Sequence, residues 1–222
     1  MRKISIFIMT AIIAGSILFS SQAFGQSTRK VLMIPREGYS VDLDLMLKME
    51  VGAMTMLLKR AGFQVDVATD SGQAILGQTE KIEKVMRLSE INLDDYVGVI
   101  MPCMAVGSFP GPPVSSETVA IVKKALNDGK PVTAGGNSSI ILAEAGLLKG
   151  KRYAYFRDPL KTDKDWKRTD PRFKGGIYSG DGVVQDGNII TSGVCPTLQR
   201  FVGKQDGTVP LTKIFISAIG PK

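Results

Sequence analysis

The chain has 222 residues, 44% of them hydrophobic, and carries 28 basic against 21 acidic side chains. That length and apolar content suit one medium-sized domain with a sizeable core, and no repeat or low-complexity tract argues otherwise. There is no histidine and there are only two cysteines. Ser-His-Asp and Cys-His hydrolysis as ordinarily built are thereby excluded, with the commonest zinc sites, and acid–base work falls to Glu, Asp, Lys, Tyr or Cys.

Residues 1–25 read as a signal peptide. Arg2 and Lys3 form a positive start, Ile4 to Phe19 are uncharged and mostly apolar, and Ser20 to Gly25 supply the small residues a signal peptidase reads. Cleavage after Gly25 is expected. The protein would then be periplasmic or secreted, with no stable membrane anchoring, and residues 26–222 would form a single domain. The competing reading is an uncleaved anchor, since the apolar stretch approaches spanning length.

In chain order, Lys30 to Pro35 reads as a buried strand and Asp44 to Ala61 as a helix stopped by Gly62. Phe63 to Ala68 alternates like a strand, and Glu80 to Ser89 reads as a charged, peripheral helical piece. Asp95 to Pro102 has buried-strand character. A Gly/Pro-rich loop leads to a helix over Ser116–Asn127, capped by Ser115 or Ser116 and by Gly129. Pro131 to Ala134 is a very short strand that turns through Gly135, Gly136 and Asn137 into a helix over Ser138–Ala145. Lys151 to Phe156 is a further strand candidate. Gly176–Val184 and Asn188–Ser192 look like a hairpin with an Asp-Gly turn, and Leu211 to Ile219 shows a helical apolar face.

Strands alternating with helices imply an α/β fold: a flavodoxin-like, doubly wound, mainly parallel sheet with helices on both faces and a late β-hairpin. Ligands bind such sheets at the carboxyl ends of the strands. The loops after Ile34, Met101, Ala134 and Thr191 are therefore the ones expected to matter. Ten basic residues against four aspartates lie between Lys149 and Lys174, with a basic insertion at about 157–174 around Trp166. The remainder of the mature chain is close to neutral, so no nucleic-acid partner is expected. With no Gly-rich phosphate loop, no histidine and no cysteine cluster, neither a cofactor nor a metal is expected.

Several segments, in order, carry a resemblance. They are Leu58-Lys59-Arg60-Ala61-Gly62-Phe63-Gln64-Val65, Gly129-Lys130-Pro131-Val132, Leu142 to Gly150, and Val183 to Ser192. Together they resemble the ThiJ/PfpI family, within the class I glutamine amidotransferase-like superfamily, from about Lys30 to about Phe201. The resemblance implies a cysteine nucleophile on a sharp strand-to-helix turn, followed by histidine. Here the matching stretch is Ala134-Gly135-Gly136-Asn137-Ser138, with Gly136 in the cysteine's place and Asn137 in the histidine's. It also implies that Glu50 is the helix-one acid, with an exposed glutamate as the competing reading. The family's Pro-Gly-Gly loop becomes Pro102-Cys103-Met104, and its late arginine-bearing loop becomes Ser192-Gly193-Val194-Cys195-Pro196. Family members commonly pair, so a homodimer is implied.

Three readings of Cys103 and Cys195 stay open: small buried residues, a disulfide, or a relocated nucleophile. The leading functional expectation is a non-catalytic or degenerate module binding a small polar ligand. Its pocket would be lined by Glu37, Glu50, Cys103, Gly135, Gly136, Asn137, Ser138 and Cys195. The alternatives are an active hydrolase or amidase-like enzyme using Cys103 or Cys195 with Glu50, and a structural or chaperone-like dimer.

Overall fold

The computed structural model describes residues 29–37, 43–104, 113–156 and 170–220. The signal segment, Trp166 and most of the basic insertion lie outside the described residues. None of the described helices is long and apolar enough to cross a membrane.

Seven strands form the main sheet: β1 (Lys30–Met33), β2 (Gln64–Thr69), β5 (Met86–Arg87), β6 (Tyr96–Met101), β7 (Val132–Gly135), β10 (Val183–Asp186) and β11 (Ile189–Ser192). Their order is β10-β11-β7-β6-β1-β2-β5, and every neighbouring pair is parallel except the β10–β11 hairpin. The chain runs from β1 outward to β2 and then returns to β6 on the other side of β1. That reversal makes the carboxyl ends of β1 and β6 the switch point, where the two following loops diverge and leave a crevice.

Each strand alternates between two cores, as a sheet covered on both faces requires. Val31 and Met33 join Ile100, Ile190 and the helices over 43–60 and Thr208–Ile219 on one face. Leu32 and Ile34 join Val99, Met101 and Val132 with the helices over Ser116–Asn127 and Ser139–Glu144 on the other. Helix α1 runs from an α-helical turn (Leu43–Leu45) through π-helical Met46–Gly52 into α-helical Ala53–Arg60. Helix α2 spans Ser116–Asn127, α3 Ser139–Glu144, α4 Pro196–Val202 and α5 Thr208–Ile219. Phe215 of α5 is fully buried against Gly98 of β6, where a Cβ would lie 2.8 Å from its ring. Burying such a side chain is worth about 1.5–3 kcal/mol.

Several expectations need correction. Glu80 to Ser89 is not helical. It holds β4 (Lys81–Ile82), paired antiparallel with β3 (Ile75–Leu76), then β5 and a 3-10 turn at Leu88–Glu90. Helical charge pairs there would each contribute only about 0.2–0.5 kcal/mol. Against them stands Asp44 of α1, whose carboxylate accepts N–H bonds from Thr79 and Glu80 at 3.0 Å and pins the hairpin. Buried Ile75 and Leu88 anchor its two ends. The strand expected over 176–184 divides at Gly180 (φ +102°): β9 (Ile177–Tyr178) pairs with the short β8 (Arg152–Tyr153), and only Val183–Asp186 joins the hairpin. Helix α4 was not foreseen. Its only buried residue is Pro196, and Phe201 is 81% exposed, so no apolar stripe marks it.

Candidate functional site

The site stands at the carboxyl edge of β6, β7 and β11. Strand β7 ends at Gly135, and Gly136 follows with φ +52° before the 3-10 turn Gly136–Ser138 leads into α3. An L-residue at that angle is strained, whereas glycine adopts it freely. The turn is a tight strand-to-helix elbow with glycine at its centre.

The space in front of Gly136 is filled by sulfur. A Cβ built there would lie 2.6 Å from Sγ of Cys103 and 3.5 Å from Cβ of Cys195. The loop after β6 therefore delivers the Cys103 thiol into the region that an elbow side chain would occupy. The N–H of Asn137 points at this sulfur from 3.4 Å. Ser138 is fully buried and fixes the loop, its hydroxyl donating to the Pro102 carbonyl and accepting the Met104 N–H at 3.2 Å. It is a strut beneath the site. The Oδ1 of Asn137 accepts the Tyr155 hydroxyl at 3.0 Å, a partner that sequence reading missed because Tyr155 arrives from the segment after β8.

Glu50 arrives from the π-helical part of α1. A π-turn is wider than an α-turn and is frequently found at functional sites. Here it aims a carboxylate into the protein, and Glu50 is 1% exposed. The exposed-face reading is thereby set aside. Its Oε2 accepts the Cys103 N–H at 2.7 Å, so acid and loop are tied directly. Burial, with further contributions from Cys195 and Asp206, pushes the Glu50 carboxyl well above the usual range despite that hydrogen bond, so the neutral acid is favoured.

Cys195 caps α4 and is 3% exposed, while Cys103 is half-buried; both are free thiols. The two sulfurs lie within 4.8 Å of each other, so their titrations belong to the pair. The Cys195 sulfur, burial and the neighbouring Glu50 push the Cys103 thiol up. The Cys103 thiol beside it, with the N–H groups of Leu198 and Thr197, lowers Cys195 to about 7 in spite of burial. The donor atoms of Glu50, Cys103 and Cys195 lie within 4.8 Å of one another.

Gly135 is buried beside the Pro102–Cys103 backbone. Glu37 does not join this cluster. It accepts the backbone N–H and hydroxyl of Ser71, at 3.0 and 2.7 Å, and lines a separate cavity of about 170 Å³ with Ile34, Asp70, Met104 and Ser115. Burial would raise its carboxyl, but hydrogen bonds from Ser71 and Thr69 outweigh this and hold it below the usual range. Met104 touches that cavity, and its chain neighbour Cys103 belongs to the thiol cluster.

Comparison with known proteins gives a consistent pattern. The profile of the DJ-1/PfpI family matches residues 40–205. An uncharacterised protein of Methanocaldococcus jannaschii is 28% identical over 198 residues, covering 86% of this chain and 89% of its own. A protein named deglycase, from Thermococcus kodakarensis, is 28% identical over 164 residues, covering 73% and 89%. Among solved structures, a two-domain protein from Anabaena variabilis with DJ-1/ThiJ/PfpI-like and ferritin-like domains superposes with a TM-score of 0.62 at 22% identity. That match covers 87% of this chain and 49% of the two-domain one, so this chain spans about half of that protein.

Proposed function

The chain belongs to the DJ-1/PfpI family, and from that premise we propose that it is a thiol-dependent hydrolase whose attacking sulfur has moved from the elbow to the loop after β6. The observation that carries this reading is the position of Cys103, with its Sγ 2.6 Å from where the elbow side chain would begin. The juxtaposition with Glu50, through the 2.7 Å bond to the Cys103 amide, supports it. The substrate class is a small amide or thioester, a carbonyl compound with an amine or thiol to leave.

In this mechanism the Cys103 sulfur attacks the carbonyl carbon and passes its proton to the neighbouring Cys195 sulfur, within 4.8 Å of it. Cys195 thus takes the part of the missing histidine as base. The C–S bond forms as the carbonyl π-bond opens, and the N–H of Asn137, already aimed at the sulfur, stands by the developing oxyanion. The leaving amine or thiol takes the proton back from Cys195, and water then cleaves the thioester. Glu50 is a positioning residue that holds the Cys103 backbone.

The test is turnover of an activated amide and of a small thioester by the reduced protein. Cys103→Ser should bring turnover to background, and Cys195→Ser should lower it by about 10²–10⁴-fold, the usual contribution of a general base. Equal turnover by Cys103→Ser and the unaltered protein would return the site to a pocket that only binds ligands.

A further inference from the structure

We propose that Glu50, Cys103 and Cys195 together form a binding site for a thiophilic d¹⁰ cation, with Zn²⁺ the ion their donor set fits best. The three donor atoms come from three different elements: the π-helical turn of α1, the loop after β6, and the residue that caps α4. They nevertheless lie within 4.8 Å of one another. Tetrahedral zinc with Zn–S near 2.3 Å and Zn–O near 2.0–2.2 Å needs donors separated by roughly 3.5–3.8 Å. Side-chain adjustments on the order of 1 Å therefore close the site.

The surroundings already orient the donors. The Cys103 N–H holds Glu50 Oε2 at 2.7 Å, leaving the other carboxylate oxygen for an ion, and the Asn137 N–H holds the Cys103 sulfur at 3.4 Å. Such outer-shell bonds fix ligand direction and are costly to remove. Gly136 contributes by what it lacks, because a side chain there would collide with the Cys103 sulfur. Two thiolates and a carboxylate suit zinc or monovalent copper and do not suit calcium or magnesium, which take six or more oxygens. Three protein ligands also leave zinc a fourth position for water or substrate, the arrangement of zinc sites that react rather than merely brace. The site stands whether or not Cys103 turns over a substrate. If both hold, the ion and the attack compete for the same sulfur.

The experiment uses the reduced, chelator-stripped protein, titrated with Zn²⁺ against a chromophoric chelator and, separately, with Co²⁺ followed by absorption. The expected result is one Zn²⁺ per chain, together with a cobalt spectrum showing sulfur-to-metal charge transfer and the intense bands of tetrahedral coordination. Cys103→Ser and Cys195→Ser should each weaken Zn²⁺ binding by more than about 100-fold, since losing a ligand exceeds the 10–100-fold cost of losing an outer-shell partner. Glu50→Gln, which can keep the bond to the Cys103 amide, should weaken it less and change the cobalt band positions. Zn²⁺ binding no tighter than to the double cysteine variant would overturn the proposal. So would a pale, octahedral cobalt spectrum with the unaltered chain, a readout that depends on no variant folding.

Discussion

Replacing Gly136 by alanine puts a methyl carbon 2.6 Å from the Cys103 sulfur and 3.2 Å from its Cβ, at a backbone angle of φ +52°. Two costs follow. Holding an L-residue in the left-handed region costs about 1–2 kcal/mol, and overpacking a filled space costs about 1–3 kcal/mol. Gly136→Ala should therefore lose about 2–5 kcal/mol. The steric share is separable, because Cys103→Ala removes the sulfur and leaves only the looser Cβ contact. In a double-mutant cycle the two substitutions should couple by about 1–3 kcal/mol, with the backbone share remaining in the double variant. Urea unfolding of the reduced proteins, followed by circular dichroism, measures all four corners. If the two effects add within about 0.5 kcal/mol, the Cys103 sulfur does not fill the elbow, and the argument for a relocated thiol fails with it.

Ser138→Ala removes the two hydrogen bonds that fix the loop after β6 and leaves a Pro102 carbonyl and a Met104 N–H without that partner. Calorimetry should show a loss of about 1–3 kcal/mol, or several degrees in Tm for a chain of this size. Asp66 is held below the usual carboxylate range because bonds from Gln64, Lys30 and Tyr96 outweigh its burial. A depressed carboxylate stabilises above its unfolded pKa and loses that contribution as pH falls through the folded value. Asp66→Asn should thus be less stable than the unaltered protein at pH 7, and urea midpoints of the two should converge below about pH 4. Export, proposed on residues 1–25, predicts an intact mass beginning at Gln26 after secretion by a bacterial host, and retention of Met1 would contradict it. Pairing of two copies, proposed from the family resemblance, predicts a dimer mass in sedimentation equilibrium.

The central strands and α2 were legible because their signals are local. Lys30 to Ile34 and Tyr96 to Met101 are apolar runs of strand length, and Ser115 accepts the Thr118 N–H as its place before Ser116 suggests. The piece from Glu80 to Ser89 was not legible, since its conformation is set by Asp44, 35 and 36 residues from the Thr79 and Glu80 amides it binds. Helix α4 escaped notice because it buries almost nothing and so leaves no periodic pattern. Glu50, Cys103, Gly136 and Cys195 could each be picked out by alignment with the family's pattern. Their meeting depends on the strand order, which sets the loops after β6, β7 and β11 side by side. That the Cys103 sulfur fills the space in front of Gly136, and that Glu37 turns away to Ser71, are facts of side-chain direction that no spacing rule encodes.

The most direct test of a relocated nucleophile is to trap it. The reduced protein would be mixed with p-nitrophenyl acetate, quenched in acid, digested and mapped by mass. An acetyl group on the peptide carrying Cys103, absent from Cys103→Ser, is the predicted result. No acyl-enzyme, or acetylation confined to lysines and unchanged in Cys103→Ser, would contradict the account.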